Sequence, residues 1–150
     1  MQLLICPSDP PDQISENFPH QAYLVNTRVF ARAGDTDKGL MLSDISDGSS
    51  QTLLMSEGLL NDVPGGRRWT MTDERQVGFR GDDGADSVEG AAVSLETELT
   101  SYHGDGVNVY FCDGHYNFLR SDISPDVYRQ LCDPKDSGQE GYRPLDGAAW

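Results

Sequence analysis

The sequence predicts an α+β fold dominated by an antiparallel β-sheet with long loops and a short C-terminal helix. Asp-Gly or Gly-rich turn signals recur near residues 47, 65, 84, 105 and 113. Short β-prone runs lie between them, and helix signals are few. Short strands separated by regular turns are typical of antiparallel sheets rather than of βαβ units.

The composition predicts one domain over residues 1–150, with an irregular tail at about 135–150. The chain carries 11 Lys and Arg against 25 Asp and Glu, a net charge of −14. This charge repels nucleic-acid phosphates and disfavours an anionic membrane surface. The sequence contains no apolar stretch of the ~20 residues that a membrane span needs. We therefore expect no nucleic-acid partner and no membrane contact for this chain.

Two runs outside the C-terminal region have strand character, residues 51–56 and 69–72. Residues 80–92 are acidic and rich in small residues, so we expect a long surface loop there. The helix is predicted over residues 125–132, because Ser124 is a good N-cap, Pro125 suits the first helical position and Pro134 follows the end.

The strongest local signal is a hairpin around Asp113-Gly114, since two β-prone runs that flank Asp-Gly are typical of a type I′ turn. This turn pairs Cys112 with His115 and Phe111 with Tyr116. Alternation then places one set of side chains on the buried face: Val107, Val109, Phe111, Tyr116 and Phe118.

His103 precedes this hairpin, and a His followed by an Asp invites an acid–base or metal-pair interpretation. A strand of six residues spans ~20 Å, and the three residues after His103 reach back only ~10–13 Å. We therefore expect His103 and Asp113 at opposite ends of the hairpin, as a loop His bonded to backbone and a turn Asp. An activated Cys112 thiol beside His115 is disfavoured because no oxyanion donors accompany it.

The spacing of His103, nine residues, then Asp113-Gly114 resembles the motif of the prepilin-type "H-X9-DG" proteins abundant in planctomycetes, domain-of-unknown-function family 1559. Three further blocks resemble that family in the same order. Cys6-Pro7 resembles part of its Cys-Pro-Ser-Asp block, and Asp47-Gly48 resembles part of its Thr-Asp-Gly-Thr-Ser block, with Glu57 after the following strand. The helix after Ser124 also fits.

The resemblance implies a type IV pilin-like or pseudopilin-like head domain. Such proteins carry a prepilin signal and a long hydrophobic helix before the sheet, and both are missing from this sequence. That helix would be the membrane anchor, and the sheet face that it covers should be apolar. The resemblance implies no catalytic activity. It implies export to the cell surface, the extracellular space or the periplasm, and other pilin-like subunits or surface proteins as partners.

Some pilin heads bind Ca²⁺ in loops, and one acidic cluster here has the matching chemistry. Four carboxylates lie close together in the predicted 80–92 loop: Asp82, Asp83, Asp86 and Glu89. Like charges so close repel one another unless a cation neutralises them. A solvated acidic loop and a Ca²⁺ site are both open. A second acidic run, residues 35–39, lacks the later Glu of a calcium loop.

The remaining motifs favour structure over chemistry. The Asp47 block predicts a turn whose side chains bond to backbone N–H groups before a strand. Glu57 could pair with Arg67 or Arg68. The three cysteines allow one disulfide, for which Cys6–Cys132 is the favoured pair, or three free thiols.

Three functions of different classes follow. The first is a non-enzymatic structural head of an exported pilin-like or pseudopilin-like subunit in a surface filament or secretion apparatus. The second is a secreted acidic β-domain that binds a glycan or protein, with Ca²⁺ as a possible cofactor, through Tyr102, Tyr142, Trp69 or Trp150. The third is a metal-dependent hydrolase that uses His20, His103 or His115, but the chain lacks an HExxH motif, a nucleophile elbow and a P-loop.

Overall fold

The computed structural model describes residues 5–8, 22–30, 40–58, 78–79, 93–94, 99–135 and 137. Three of its strands have only two residues each. The elements in chain order are β1 (Tyr23–Asn26), a 3₁₀ turn (Leu42–Asp44), β2 (Leu53–Glu57), β3 (Gly78–Phe79), β4 (Val93–Ser94), β5 (Thr100–Ser101), β6 (Gly106–Phe111), β7 (Tyr116–Arg120) and α1 (Pro125–Cys132).

Five of the strands form one sheet in the order β3-β1-β2-β6-β7. The pairs β1–β2, β2–β6 and β6–β7 are antiparallel, whereas β3 runs parallel to β1. The strands β4 and β5 pair separately. The structure therefore confirms an α+β fold dominated by an antiparallel sheet with one short helix.

The main core lies between α1 and one face of this sheet. We call that face of the sheet the inner face. Strands β1, β2, β6 and β7 contribute alternate side chains to it, as expected where one sheet face is buried. Helix α1 adds side chains from its sheet-facing side. The buried members are Leu24, Leu53, Leu99, Val107, Val109, Phe111, Leu119, Tyr128, Leu131 and Cys132.

Helix α1 begins and ends at the predicted residues, Pro125 and Cys132. Ser124 occupies the N-cap position, although its side chain makes no cap hydrogen bond. The last turn is fixed by the buried Asn26, whose Nδ2 donates to the carbonyls of Leu53 and Cys132 at 2.8 Å each. One amide side chain thus joins β1, β2 and the end of the helix.

The predicted hairpin is present, but the predicted register was wrong by one residue. Tyr110 pairs with Tyr116 and Val109 with Asn117. A type I′ turn needs positive φ at both central residues, and among the described residues only Gly48 and Gly114 have it. The Gly114 N–H donates to the Phe111 carbonyl and the Phe111 N–H to the His115 carbonyl. This is a three-residue loop with its glycine in the left-handed region.

The shift turns the β7 side chains over, because a slip of one residue exchanges the two faces of a strand. The β6 prediction was correct, since Val107, Val109 and Phe111 are fully buried. The β7 prediction was wrong, since Tyr116 and Phe118 are exposed and Leu119 is buried instead.

Cys6, Cys112 and Cys132 are all buried, and none of the three forms a disulfide. Cys6 packs with Ala22, Cys132 lies in the main core, and Cys112 packs with Val29 and Ile45. The favoured Cys6–Cys132 disulfide is therefore not formed. The predicted strand at 69–72, the loop at 80–92 and the tail beyond residue 137 lie outside the described residues. Within the described residues, no helix has the length and apolar character to cross a membrane.

Gly106 at the start of β6 and the nearby Gly104 make a matched test of this packing. A Cβ at Gly106 would lie 2.1 Å from the Leu119 carbonyl oxygen, whereas a Cβ at Gly104 would meet no atom within 4 Å. We expect Gly106→Ala to lower the free energy of unfolding by about 2–4 kcal/mol, because backbone must move. Gly104→Ala should change it by no more than about 0.5 kcal/mol. Equal effects in urea denaturation would contradict this packing.

Candidate functional site

Three residues from distant parts of the sequence meet at one point above the sheet. Cys6 comes from the N-terminal segment 5–8, Glu57 is the last residue of β2, and His103 lies between β5 and β6. The Sγ of Cys6 lies 3.6 Å from Glu57 Oε1 and 3.4 Å from His103 Nε2. His103 Nε2 lies 3.1 Å from the same Oε1. The three family-motif blocks that contain these residues are thus joined in space.

Glu57 is the centre of this cluster. Glu57 is only 5% exposed. A buried carboxylate destabilises the fold unless hydrogen bonds and opposite charge compensate it. Asn108 supplies two donors, its backbone N–H to Oε2 at 2.9 Å and its Nδ2 to Oε1 at 3.1 Å. The Cys6 thiol and the His103 ring are the other two groups in contact with Oε1.

The pairing of β2 with β6 places Asn108 where Glu57 needs it. Ser56 pairs with Val109, so the next residue on β2, Glu57, faces Asn108 across the two strands. Val109 is fully buried on the inner face, and alternation puts Asn108 and Glu57 on the opposite face. That face, which we call the outer face, carries the cluster.

The geometry of His103 does not fit a nucleophile–base relay. In such a relay one ring nitrogen faces the nucleophile and the other faces the orienting carboxylate. Here Nε2 faces both Cys6 Sγ and Glu57 Oε1, whereas Nδ1 lies 3.5 Å from Ser8 Oγ. The three donor atoms therefore converge on one point instead of forming a chain. The expectation that His103 bonds to backbone was wrong, because its ring contacts side chains.

The cluster offers one sulfur, one nitrogen and one oxygen that lie within 4.8 Å of one another. Cys6 and Glu57 are buried, and His103 is partly exposed. The His103 ring also meets Phe118 edge-on, with ring centroids 6.5 Å apart. The cluster is thus closed on the sheet side and reachable from the side of His103.

Asp113 lies at the other end of β6 and takes no part in this cluster. It accepts a hydrogen bond from the His115 backbone N–H at 3.1 Å, and its Oδ1 lies 2.6 Å from His115 Nδ1. These hydrogen bonds, that of the backbone first, lower the pKa of Asp113. Together with Gly114 at φ +90°, this Asp shapes the hairpin turn.

The Asp47 block forms a turn, as the sequence predicts. Gly48 has φ +98°, and its carbonyl accepts from the Gln51 N–H and the Thr52 hydroxyl. Asp47 Oδ1 accepts from the Ser137 N–H at 2.7 Å, which is a partner distant in sequence. These residues tie the chain together before β2.

The four candidate calcium ligands lie outside the described residues, as do Arg67 and Arg68. Pro7 is exposed next to Cys6. Sequence reasoning missed Asn108 and Ser8 as partners of the cluster. Asn108 could have been found, because a polar residue at the outer-face position of a strand must be solvated or bonded.

Residues 1–126 match the family SBP_bac_10, described as "Protein of unknown function (DUF1559)". The chain belongs to this family. The match includes Cys6, Glu57, His103 and Asp113, and it confirms the assignment to the DUF1559 family made from the sequence. Comparisons with curated proteins and with solved structures give no match.

The Cys112 thiol lies beside the hairpin turn, and its reactivity tests whether this turn is packed as the structure shows. Burial, and then the negative charge of Asp113, raise its pKa from 9.0 to about 11. Because the thiolate is the reactive form, a shift of that size slows alkylation at pH 8 about a hundredfold relative to the unfolded chain. Because the folded protein retains the thiol proton to a higher pH than the unfolded chain, the free energy of unfolding falls as the pH rises from 9 toward 11.

The measurement is pulsed alkylation with iodoacetamide at pH 8, with and without urea, read by mass spectrometry of the peptide that contains Cys112. Peptide mapping separates this thiol from the other two cysteines. Equal rates in native and unfolded protein would contradict the buried, protonated thiol.

Proposed function

We propose that this chain is the non-enzymatic head of an exported pilin-like or pseudopilin-like subunit in a surface filament or secretion apparatus. The observation that carries the proposal is an apolar row across the outer face of the sheet. Val25 pairs with Met55, Met55 with Tyr110, and Tyr110 with Tyr116. Paired residues share a face, so these four side chains form one continuous row, which we call the outer-face row.

The outer-face row becomes more exposed toward the edge strand β7. Val25 and Met55 are half-buried, Tyr110 is 40% exposed and Tyr116 is 74% exposed. The Tyr110 and Tyr116 rings lie 6.4 Å apart. Contiguous apolar surface of this kind marks interaction sites. The proposal assigns it to an apolar helix that precedes the head in the full-length protein.

The cluster at Glu57 supports a structural role. Its carboxylate accepts hydrogen bonds from Asn108 and contacts Cys6 and His103, so its lone pairs are used inside the fold. The His103 ring nitrogens do not follow the nucleophile–base–carboxylate order of a relay, which supports the proposed structural role. The motif residues thus fasten the N-terminal segment and the β5–β6 connection to the sheet.

A second function, the binding of a glycan, is favoured by the exposed tyrosine pair alone. Aromatic rings with one polar end stack on sugars at wet surfaces. Tyr102 is half-buried, and the other aromatic residues considered for this role, Trp69, Tyr142 and Trp150, lie outside the described residues.

The test is electron microscopy of cells that express the full-length protein together with its preceding segment. We expect filaments from the wild type and their loss in the double variant Tyr110→Ser/Tyr116→Ser, because the packing face loses about 1.5–3 kcal/mol for each large side chain. The matched control is Met41→Ser/Leu42→Ser, at two residues that are each 66% exposed at the start of the 3₁₀ turn; it should keep the filaments.

Absence of wild-type filaments, or filaments from the tyrosine variant equal to those of the wild type, would overturn the proposal. If the wild type forms no filaments but binds a glycan that the tyrosine variant does not bind, the second function is correct.

A further inference from the structure

We propose that Cys6, Glu57 and His103 form a Zn²⁺ site that clamps the N-terminal segment onto the sheet. This inference goes beyond the proposed function and does not depend on it. It rests on the convergence of one thiol, one carboxylate oxygen and one imidazole nitrogen on a single point.

The distances fit a tetrahedral ion. Zn²⁺ binds sulfur at about 2.3 Å and nitrogen or oxygen at about 2.0–2.2 Å, so tetrahedral ligand atoms lie about 3.3–3.6 Å apart. The observed separations are 3.6 Å for sulfur to oxygen, 3.4 Å for sulfur to nitrogen and 3.1 Å for nitrogen to oxygen. Each lies within about 0.3 Å of that range, so small side-chain movements suffice.

The donor set selects the metal. Thiolate and imidazole are ligands of Zn²⁺, whereas Ca²⁺ and Mg²⁺ prefer oxygen alone. Binding replaces the Cys6 thiol proton, which is released to water. One thiolate and one carboxylate then balance the two positive charges of the ion, which suits a site with two buried ligands. The described residues supply three ligands, and the fourth position falls to water.

The surrounding hydrogen bonds already hold the ligands in place. The Asn108 N–H holds Glu57 through Oε2, and Asn108 Nδ2 donates to Oε1, which orients Oε1 toward Cys6 and His103. Ser8 Oγ lies 3.5 Å from His103 Nδ1 and can accept a hydrogen bond from Nδ1–H, so that the Nε2 lone pair faces the ion. Partners of this kind orient metal ligands and are part of the site. The partly exposed His103 provides the route of entry.

The experiment adds Co²⁺, and separately Zn²⁺, to the reduced metal-free protein. Tetrahedral Co²⁺ with a thiolate ligand gives a near-ultraviolet charge-transfer band, which we expect at one equivalent. A hundredfold excess of Zn²⁺ over its Kd should raise Tm on the order of 5–10 °C. Zn²⁺ should also slow alkylation of Cys6 at least tenfold in the wild type.

The variants are chosen in matched pairs. Cys6→Ser and His103→Asn should each abolish both the charge-transfer band at one equivalent and the rise in Tm. Cys112→Ser and His115→Asn, the same residue types at the far end of the hairpin, should keep both. The alkylation of Cys6 is measured on the wild type, so it decides the question even if Cys6→Ser does not fold.

Absence of the charge-transfer band in the wild type would overturn the site. So would a rise in Tm that Cys6→Ser and His103→Asn retain, or alkylation of Cys6 that Zn²⁺ leaves unchanged. Filament formation is a separate readout, and its failure would leave these results unaffected.

Discussion

The buried carboxylate of Glu57 is the constraint on which the outer face of the sheet depends. A charge with this little exposure destabilises the fold unless its lone pairs are met by donors. Asn108 meets it from the neighbouring strand, His103 from the β5–β6 connection and Cys6 from the N-terminal segment. One side chain therefore holds the N-terminal segment and the β5–β6 connection against the sheet, and removal of its charge would weaken both attachments.

The two faces of the sheet are held by different forces. The inner face is apolar and packs on α1, so its stability follows from buried area. Buried polar residues also lie on this face, and one of them, Asn26, bonds to the carbonyls of Leu53 and Cys132. The outer face combines the Glu57 cluster at one end with the outer-face row at the other. The polar contacts of Glu57 and the apolar outer-face row therefore lie on the same face of the sheet.

Local signals predicted the fold class and α1, because capping residues and proline act within a few positions. The β6 face was also predictable from alternation. The register of β7 was not, because Asp113-Gly114 can form two turn types that differ by one loop residue. The structure adopts the turn that needs only one residue with positive φ, and a glycine occupies it. That choice depends on the whole sheet, since Leu119 must be buried.

The candidate site was predictable only in part. The motif residues Cys6, Glu57 and His103 were recognisable, and the sequence placed His103 away from Asp113. Their convergence was not, because 51 and 46 residues separate Glu57 from its two partners. Pairing of β2 with β6 brings Glu57 to Asn108, and no local pattern specifies that pairing. Long-range contacts of this kind are set by topology.

Amide hydrogen exchange at Asn108 tests the central role of Glu57 most directly. In the wild type, the Asn108 N–H donates to Glu57 Oε2, whereas the Cys112 N–H at the other end of β6 donates to the Thr52 carbonyl. In Glu57→Gln, we predict that exchange at Asn108 accelerates at least tenfold relative to that at Cys112. Exchange rates that keep their wild-type ratio would contradict the account.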